Sequence, residues 1–179
     1  TYTFMHIERK MKMKETTIIS GFPGVGKTEF FKDQKYHGRV CLDSDSSEFS
    51  WVKDENGNNT KERNPEFPNN YIKHIKENIG KVDIIFVSSH DVVRKALEEA
   101  DVRYVLVYPE LTAKDEYVRR YRQRGNNDGF IKFISDNWDS FINDMKNETF
   151  PYKKELKEWQ YLSSMGVVFS CEVAGYCEC

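Results

Sequence analysis

Two hydrophobic patterns take turns along this chain: short unbroken apolar runs, and stretches in which apolar residues recur three and four apart. The run "TIIS" predicts a first strand over Thr16 to Ser20, followed by a glycine-rich loop and a helix from about Lys27 to Gln34. "RVCLDSD" reads as a second strand that ends in carboxylates. Residues 46 to 68 are polar and carry Gly57, Pro65 and Pro68, which predicts an excursion with little regular structure. "NNYIKHIKENIG" then has helical spacing at Tyr71, Ile72, Ile75 and Ile79, with an Asn cap and Gly80 at its end.

"VDIIFVSS" and "VRYVLVYP" are nearly continuous apolar runs, as expected of parallel strands covered on both faces. "HDVVRKALEEA" is a helix between them. "TAKDEYVRRYRQRG" predicts a strongly charged helix, and "DGFIKFISDNWDSFINDMKN" one long amphipathic helix. "KKELKEWQYLSS" and "GVVFSC" compete for the last strand. Strand alternating with helix predicts an α/β fold: three layers, with a parallel sheet of about five strands and helices on both faces.

A length of 179 residues suits one domain with a full core. Met13 is a natural start for the domain proper, leaving residues 1 to 12 as an extension, 13 to 165 as the domain and 166 to 179 as a tail or last strand. The net charge of -2 excludes a surface built wholly to hold nucleic acid, while leaving room for a local basic patch. No apolar run approaches the ~20 residues that span a bilayer, and no leader pattern is seen, so the expectation is a cytoplasmic protein without a membrane partner. Cys171, Cys177 and Cys179 crowd the end of the chain without a CxxC or a nearby histidine, which favours free thiols over a zinc site.

The chemistry begins at "GFPGVGKT". Gly21, Gly26, Lys27 and Thr28 satisfy G-x-x-x-x-G-K-[ST], with Gly24 and Val25 inside the loop and Glu29 just beyond it. Such a loop wraps backbone N–H groups round phosphate oxygens, and glycine permits the turns and the close approach. Lys27 would then reach the β- and γ-phosphates of ATP, and the Thr28 hydroxyl would hold Mg²⁺. The helix that follows would add its positive end.

Three pieces, "GFPGVGKT", "LDSDSS" and "YVRRYRQRG", resemble the small P-loop kinases of the nucleoside and nucleotide kinase group, which are adenylate-kinase-like. The likeness to adenylylsulfate kinase and polynucleotide 5′-kinase is looser. The run from the loop to "LDSDSSEFSW" is also similar to uncharacterised kinase-like proteins of phages and low-GC bacteria.

The resemblance implies a γ-phosphoryl transfer from ATP to a nucleoside or nucleoside monophosphate. It places Asp43 and Asp45 beside the γ-phosphate: one accepts the acceptor's proton, with Asp45 preferred, and the other holds a water on Mg²⁺, with Asp43 assigned to the metal; the alternative is that the pair caps the next turn. It makes residues 114 to 129 an arginine-rich lid in which Arg120 and Arg124, four apart, grip phosphate together; the alternative is a solvated face paired with Asp115 and Glu116. It puts Arg94 on the acceptor's phosphate, and makes residues 46 to 80 the acceptor segment, with Trp51 and Tyr71 stacking on a base or else forming a local core. The "DG-x-P-R" signature common in nucleotide kinases is absent. Two other readings stand beside this one: a 5′-end or modified-base kinase acting on a polynucleotide, and a nucleotide-binding regulatory module with little turnover.

Overall fold

The computed structural model describes residues 15–169, and side chains through residue 165. The expected extension at residues 1 to 12, the start at Met13 and the Cys171, Cys177 and Cys179 cluster lie outside the described residues. Within them a five-stranded parallel sheet is flanked by helices. Its strands are β1 (Thr17–Gly21), β2 (Cys41–Asp43), β5 (Ile84–Val87), β6 (Val105–Pro109) and β7 (Tyr152–Leu156), in the order β2-β5-β1-β6-β7. A separate two-stranded ribbon pairs β3 (Trp51–Lys53) with β4 (Asn59–Arg63).

β5 and β6 are buried at every position, so neither shows an alternation of apolar and polar residues. β1 sits between them, with Ile19 opposite both Phe86 and Val105. The step from β1 to β2 runs in the opposite direction to the three later steps across the sheet. With right-handed crossovers this puts α1 (Lys27–Lys32) on one face, and α4 (Asn69–Asn78) and α5 (Asp91–Glu99) on the other. The loops after β1 and β5 therefore part company, opening a crevice at the carboxyl ends of the strands.

Three expectations are corrected and one open alternative is decided. The predicted first helix is two short pieces, α1 and α2 (Gln34–His37), divided at Asp33. The predicted irregular excursion contains α3 (Ser47–Ser50) and the β3–β4 ribbon: Trp51 and Arg63 face each other with the guanidinium 4.0 Å from the indole, and Asp54 closes the turn by accepting from the Asn56 and Asn58 amides. The single amphipathic helix is broken into α7 (Asp128–Asp136) and α8 (Trp138–Asn147), because the Asn137 side chain bonds the Phe133 carbonyl and Trp138 turns inward to bond Leu111. The last strand is β7, within the first of the two competing segments apart from its opening Tyr152; Leu162–Phe169 is a 3-10 helix, so "GVVFSC" supplies no strand as far as Phe169.

β7 is an edge strand and carries Lys153, Lys154 and Glu155, the charges that discourage pairing with another chain. The Asn cap expected for α4 is also absent: Pro68 occupies the cap position without a side-chain bond, and the Asn70 side chain instead donates to the Phe49 carbonyl. Among the described residues no helix is long and apolar enough to cross a membrane.

Candidate functional site: a cleft at the carboxyl ends of the strands

A cleft of about 690 Å³ opens at the crevice. It is lined on one side by Gly21, Gly24, Gly26, Lys27, Thr28 and Glu29, and opposite by Asp43, Asp45, Ser88 and His90. This volume falls in the range of small-molecule sites. The Gly-rich loop leaves the end of the central strand, where Phe22 N–H still bonds the Val107 carbonyl. Gly24 and Gly26 have φ of 89° and 99°, which a side chain would strain. Val25, expected in the binding loop, is fully buried and does not line the cleft.

Lys27 folds back so that its ammonium donates to the Gly21 carbonyl. Burial lowers its pKa from 10.5 to about 8; Asp43 and, less strongly, Asp45 oppose the shift, while the Arg124 guanidinium adds to it. The Asp43 carboxyl is pushed up from its usual range, first by burial and then by Asp45, against the pull of Lys27. The Lys27 ammonium and the two carboxylates thus share one electrostatic neighbourhood.

Residues 43 to 45 alternate exposed, buried, exposed, so both carboxylates face the cleft while Ser44 turns inward. Their backbone is tied down from three sides. Ser44 N–H bonds the Phe86 carbonyl, Ser46 N–H bonds Ser88 Oγ, and Tyr71 Oη donates to the Ser44 carbonyl at 2.6 Å. Asp45 Oδ1 accepts from Ser47 N–H at 2.8 Å, so the turn-capping alternative holds for one of its oxygens. The Asp43 carboxyl makes no hydrogen bond among the described residues. His90 lies beside Asp45, whose charge counters the depression of the imidazole pKa by burial.

Three expected contacts are corrected. Tyr71 is fully buried, with its hydroxyl in the tether to Ser44 and its ring against Phe49 and Phe67, so the aromatics of the 46 to 80 segment form a local core. Trp51 lies on the ribbon under Arg63, outside the cleft lining. Arg94 is 4% exposed and does not itself line the cleft: it donates to the carbonyl of Ser89, a lining residue, and to Glu148, each at 2.5 Å.

The arginine segment divides. α6 (Lys114–Gln123) buries Tyr117, Arg120 and Tyr121, so its helical part is core rather than a free lid. Arg120 reaches the cleft wall, but its donors are spent on Glu116 and on the carbonyls of Gly24, Glu158 and Gln160. Arg119 pairs with Glu116 as a solvated face would. Arg124 is exposed and lines the cleft, and its guanidinium makes no hydrogen bond among the described residues.

Gln123, Asn126, Phe130 and Tyr161 also line the cleft. Gln123 and Asn126 fall in the expected 114 to 129 lid without having been singled out, Phe130 and Tyr161 carried no signal, and Tyr161 arrives because the segment after β7 folds back over the loop, where it comes close to Gly26. Among the described residues no group of three or more His, Cys, Asp or Glu could hold a metal on its own. No family model matches the chain, and no curated protein matches it.

Proposed function

We propose that this protein is an ATP-dependent phosphotransferase of the P-loop type, moving the γ-phosphoryl group to a nucleoside or nucleoside monophosphate. The observation that carries the reading is the meeting, in one cleft, of the complete G-x-x-x-x-G-K-[ST] loop at the end of the central strand with the carboxylates that close β2. In-line phosphoryl transfer needs positioning and charge compensation more than covalent chemistry. In this reading Lys27 leaves its internal bond to Gly21 for the β- and γ-phosphate oxygens, and Arg124 closes from the other wall.

Thr28 Oγ1 and Asp43 are hard oxygen donors on the same cleft, a set that suits Mg²⁺ shared with phosphates and water rather than a cage made by protein alone. When bound, the ion neutralises charge on the phosphate oxygens. Asp45 keeps one oxygen on Ser47 N–H and has the other to accept the acceptor hydroxyl's proton. Its influence on His90 as well as on Lys27 supports this assignment to the acceptor.

The test is incubation with Mg-ATP and, separately, nucleosides, nucleoside monophosphates and a 5′-hydroxyl oligonucleotide, following ADP. ADP that depends on a nucleoside or monophosphate supports the proposal. ADP that depends on the oligonucleotide moves the activity to polynucleotide ends, and ADP formed without any acceptor refutes phosphotransfer in favour of a nucleotide-binding module.

A further inference from the structure

The carbonyls of the Gly-rich loop are held by groups from α6 and from the segment after β7. Tyr121 Oη donates to the Pro23 carbonyl at 2.8 Å, Arg120 Nη1 to the Gly24 carbonyl at 3.1 Å, and Leu162 N–H to the Val25 carbonyl at 2.9 Å. Three consecutive carbonyls are therefore bonded, two from α6 and one from the segment after β7. The rings of Tyr117 and Tyr121 lie so close that a Cβ on Gly24 would meet each at 3.1 Å, and Tyr161 would be 3.3 Å from one on Gly26. The Arg120 guanidinium is itself sandwiched, 4.5 Å from the Tyr117 ring and 3.8 Å from the Tyr161 ring.

In a planar trans peptide the C=O of one residue and the N–H of the next point in opposite directions. Bonds that hold the carbonyls of Pro23, Gly24 and Val25 thus fix the amides of Gly24, Val25 and Gly26 pointing away from those partners, and of the three residues Gly24 and Gly26 line the cleft. The Val25 amide retains a long bond to Phe22 O at 3.3 Å, while those of Gly24 and Gly26 have no acceptor among the described residues. Burial raises the Tyr121 phenol pKa well above its usual value, so it remains a donor across the working pH range.

We infer that Tyr121, Arg120 and the Tyr161–Leu162 segment are positioning residues that hold the phosphate cup open before any ligand arrives, and so set the affinity for a polyphosphate whatever base it carries. This rests on the proposed function, since it presumes that the cup receives phosphate. It also gives Arg120 a different task from the one its sequence suggests: it acts on the loop, with Arg124 left to meet the ligand. Preorganised donors bind more tightly because no ordering remains to be done on association.

The experiment compares wild type, Tyr121→Phe and Arg120→Lys for binding of inorganic tripolyphosphate and of ATP by calorimetry at 10 °C, with magnesium present. Tyr121→Phe keeps the ring and removes one carbonyl bond; Arg120→Lys keeps the charge and removes the planar fork. Loss of one such bond corresponds to a weakening of about three- to tenfold. The expected result is that weakening for Tyr121→Phe, a larger one for Arg120→Lys, and in each variant the same factor for tripolyphosphate and ATP. In turnover, KM for ATP should rise more than kcat falls. Unchanged tripolyphosphate affinity in both variants overturns the inference while wild-type binding stands. A fall in kcat at constant affinity overturns it too, returning Arg120 to the phosphoryl group. A wild type that takes up neither ligand overturns the proposed function together with the inference.

Discussion

Replacing Arg94 by alanine should lower thermal stability without a selective loss of acceptor binding. Arg94 is buried, donates to Glu148 and to the Ser89 carbonyl, and Glu148 in turn accepts from Tyr104 Oη at 3.0 Å. Removing one partner of a buried ion pair costs about 3–5 kcal/mol, because the other charge is left uncompensated. Glu148 is 26% exposed at its side chain and keeps the Tyr104 bond, so water can take over part of the lost contact. The more distant pair with Asp144, which is 73% exposed, adds little. The low end, about 3 kcal/mol, is the expected loss.

For a chain of this size that corresponds to a fall in Tm of roughly 6–12 °C, read by calorimetry or circular dichroism. Acceptor KM measured well below the melting range should stay within about twofold of wild type, since Arg94 does not line the cleft. Arg94→Met combined with Glu148→Leu should recover most of the stability, because apolar replacement of both partners is often neutral. A single Arg94→Ala variant that melts within about 2 °C of wild type yet loses acceptor affinity tenfold would return this arginine to the substrate and refute the reasoning.

Lys27→Ala should abolish transfer and weaken ATP uptake. On the proposed function, the depressed Lys27 pKa would make ATP binding proton-linked: above pH 8 the free side chain is largely neutral, phosphate favours its charged form, and binding at pH 9 should take up close to one proton. Calorimetry at pH 9 in two buffers of different ionisation heat measures this, and identical heats would contradict it. The same shift affects folding with a definite sign. Between about pH 8 and 10.5 the unfolded chain binds more protons at this site than the folded one, so its contribution raises stability as pH rises through that window. Asp45→Asn should reduce kcat by two orders of magnitude or more with ATP affinity retained, whereas Asp43→Asn should chiefly raise the magnesium requirement; the opposite pattern exchanges the two roles. Gly24→Ala, at φ 89° and 3.1 Å from two tyrosine rings, should cost about 1–3 kcal/mol and measurable ATP affinity, checked by thermal melts and titration.

What could be read beforehand was whatever a local pattern encodes. Apolar runs at β1, β5 and β6 marked the buried strands because both faces are covered, and the glycine spacing marked the loop because backbone dihedrals demand it. The ribbon at 51–63 escaped because both its faces are largely solvated, so β4 shows no alternation to detect. Arginines carry no mark of their partner: Arg94, Arg120 and Arg124 look alike in sequence, yet one is tied to Glu148, one to loop carbonyls, and one is left to the cleft. Tyr71 and Trp51 went astray for a related reason, since an aromatic ring serves a local core as readily as a ligand.

The division of labour among the arginines follows from where α6 lies. Because Tyr117, Arg120 and Tyr121 bury one face of that helix against the Gly-rich loop, α6 cannot swing away without breaking the bonds to the Pro23 and Gly24 carbonyls. Any closing motion over a bound nucleotide is therefore confined to the short turn between α6 and α7, Arg124 to Asn127, which has Gly125 at φ 75°. A rigid cup with a short moving arm separates affinity from turnover: changes at Tyr121 should act on binding, and changes at Arg124 on kcat. Arg124→Ala should accordingly lower kcat at least tenfold while tripolyphosphate affinity changes less than threefold. Steady-state kinetics beside calorimetry decides it, and an equal fall in both quantities would mean that Arg124 belongs to the cup.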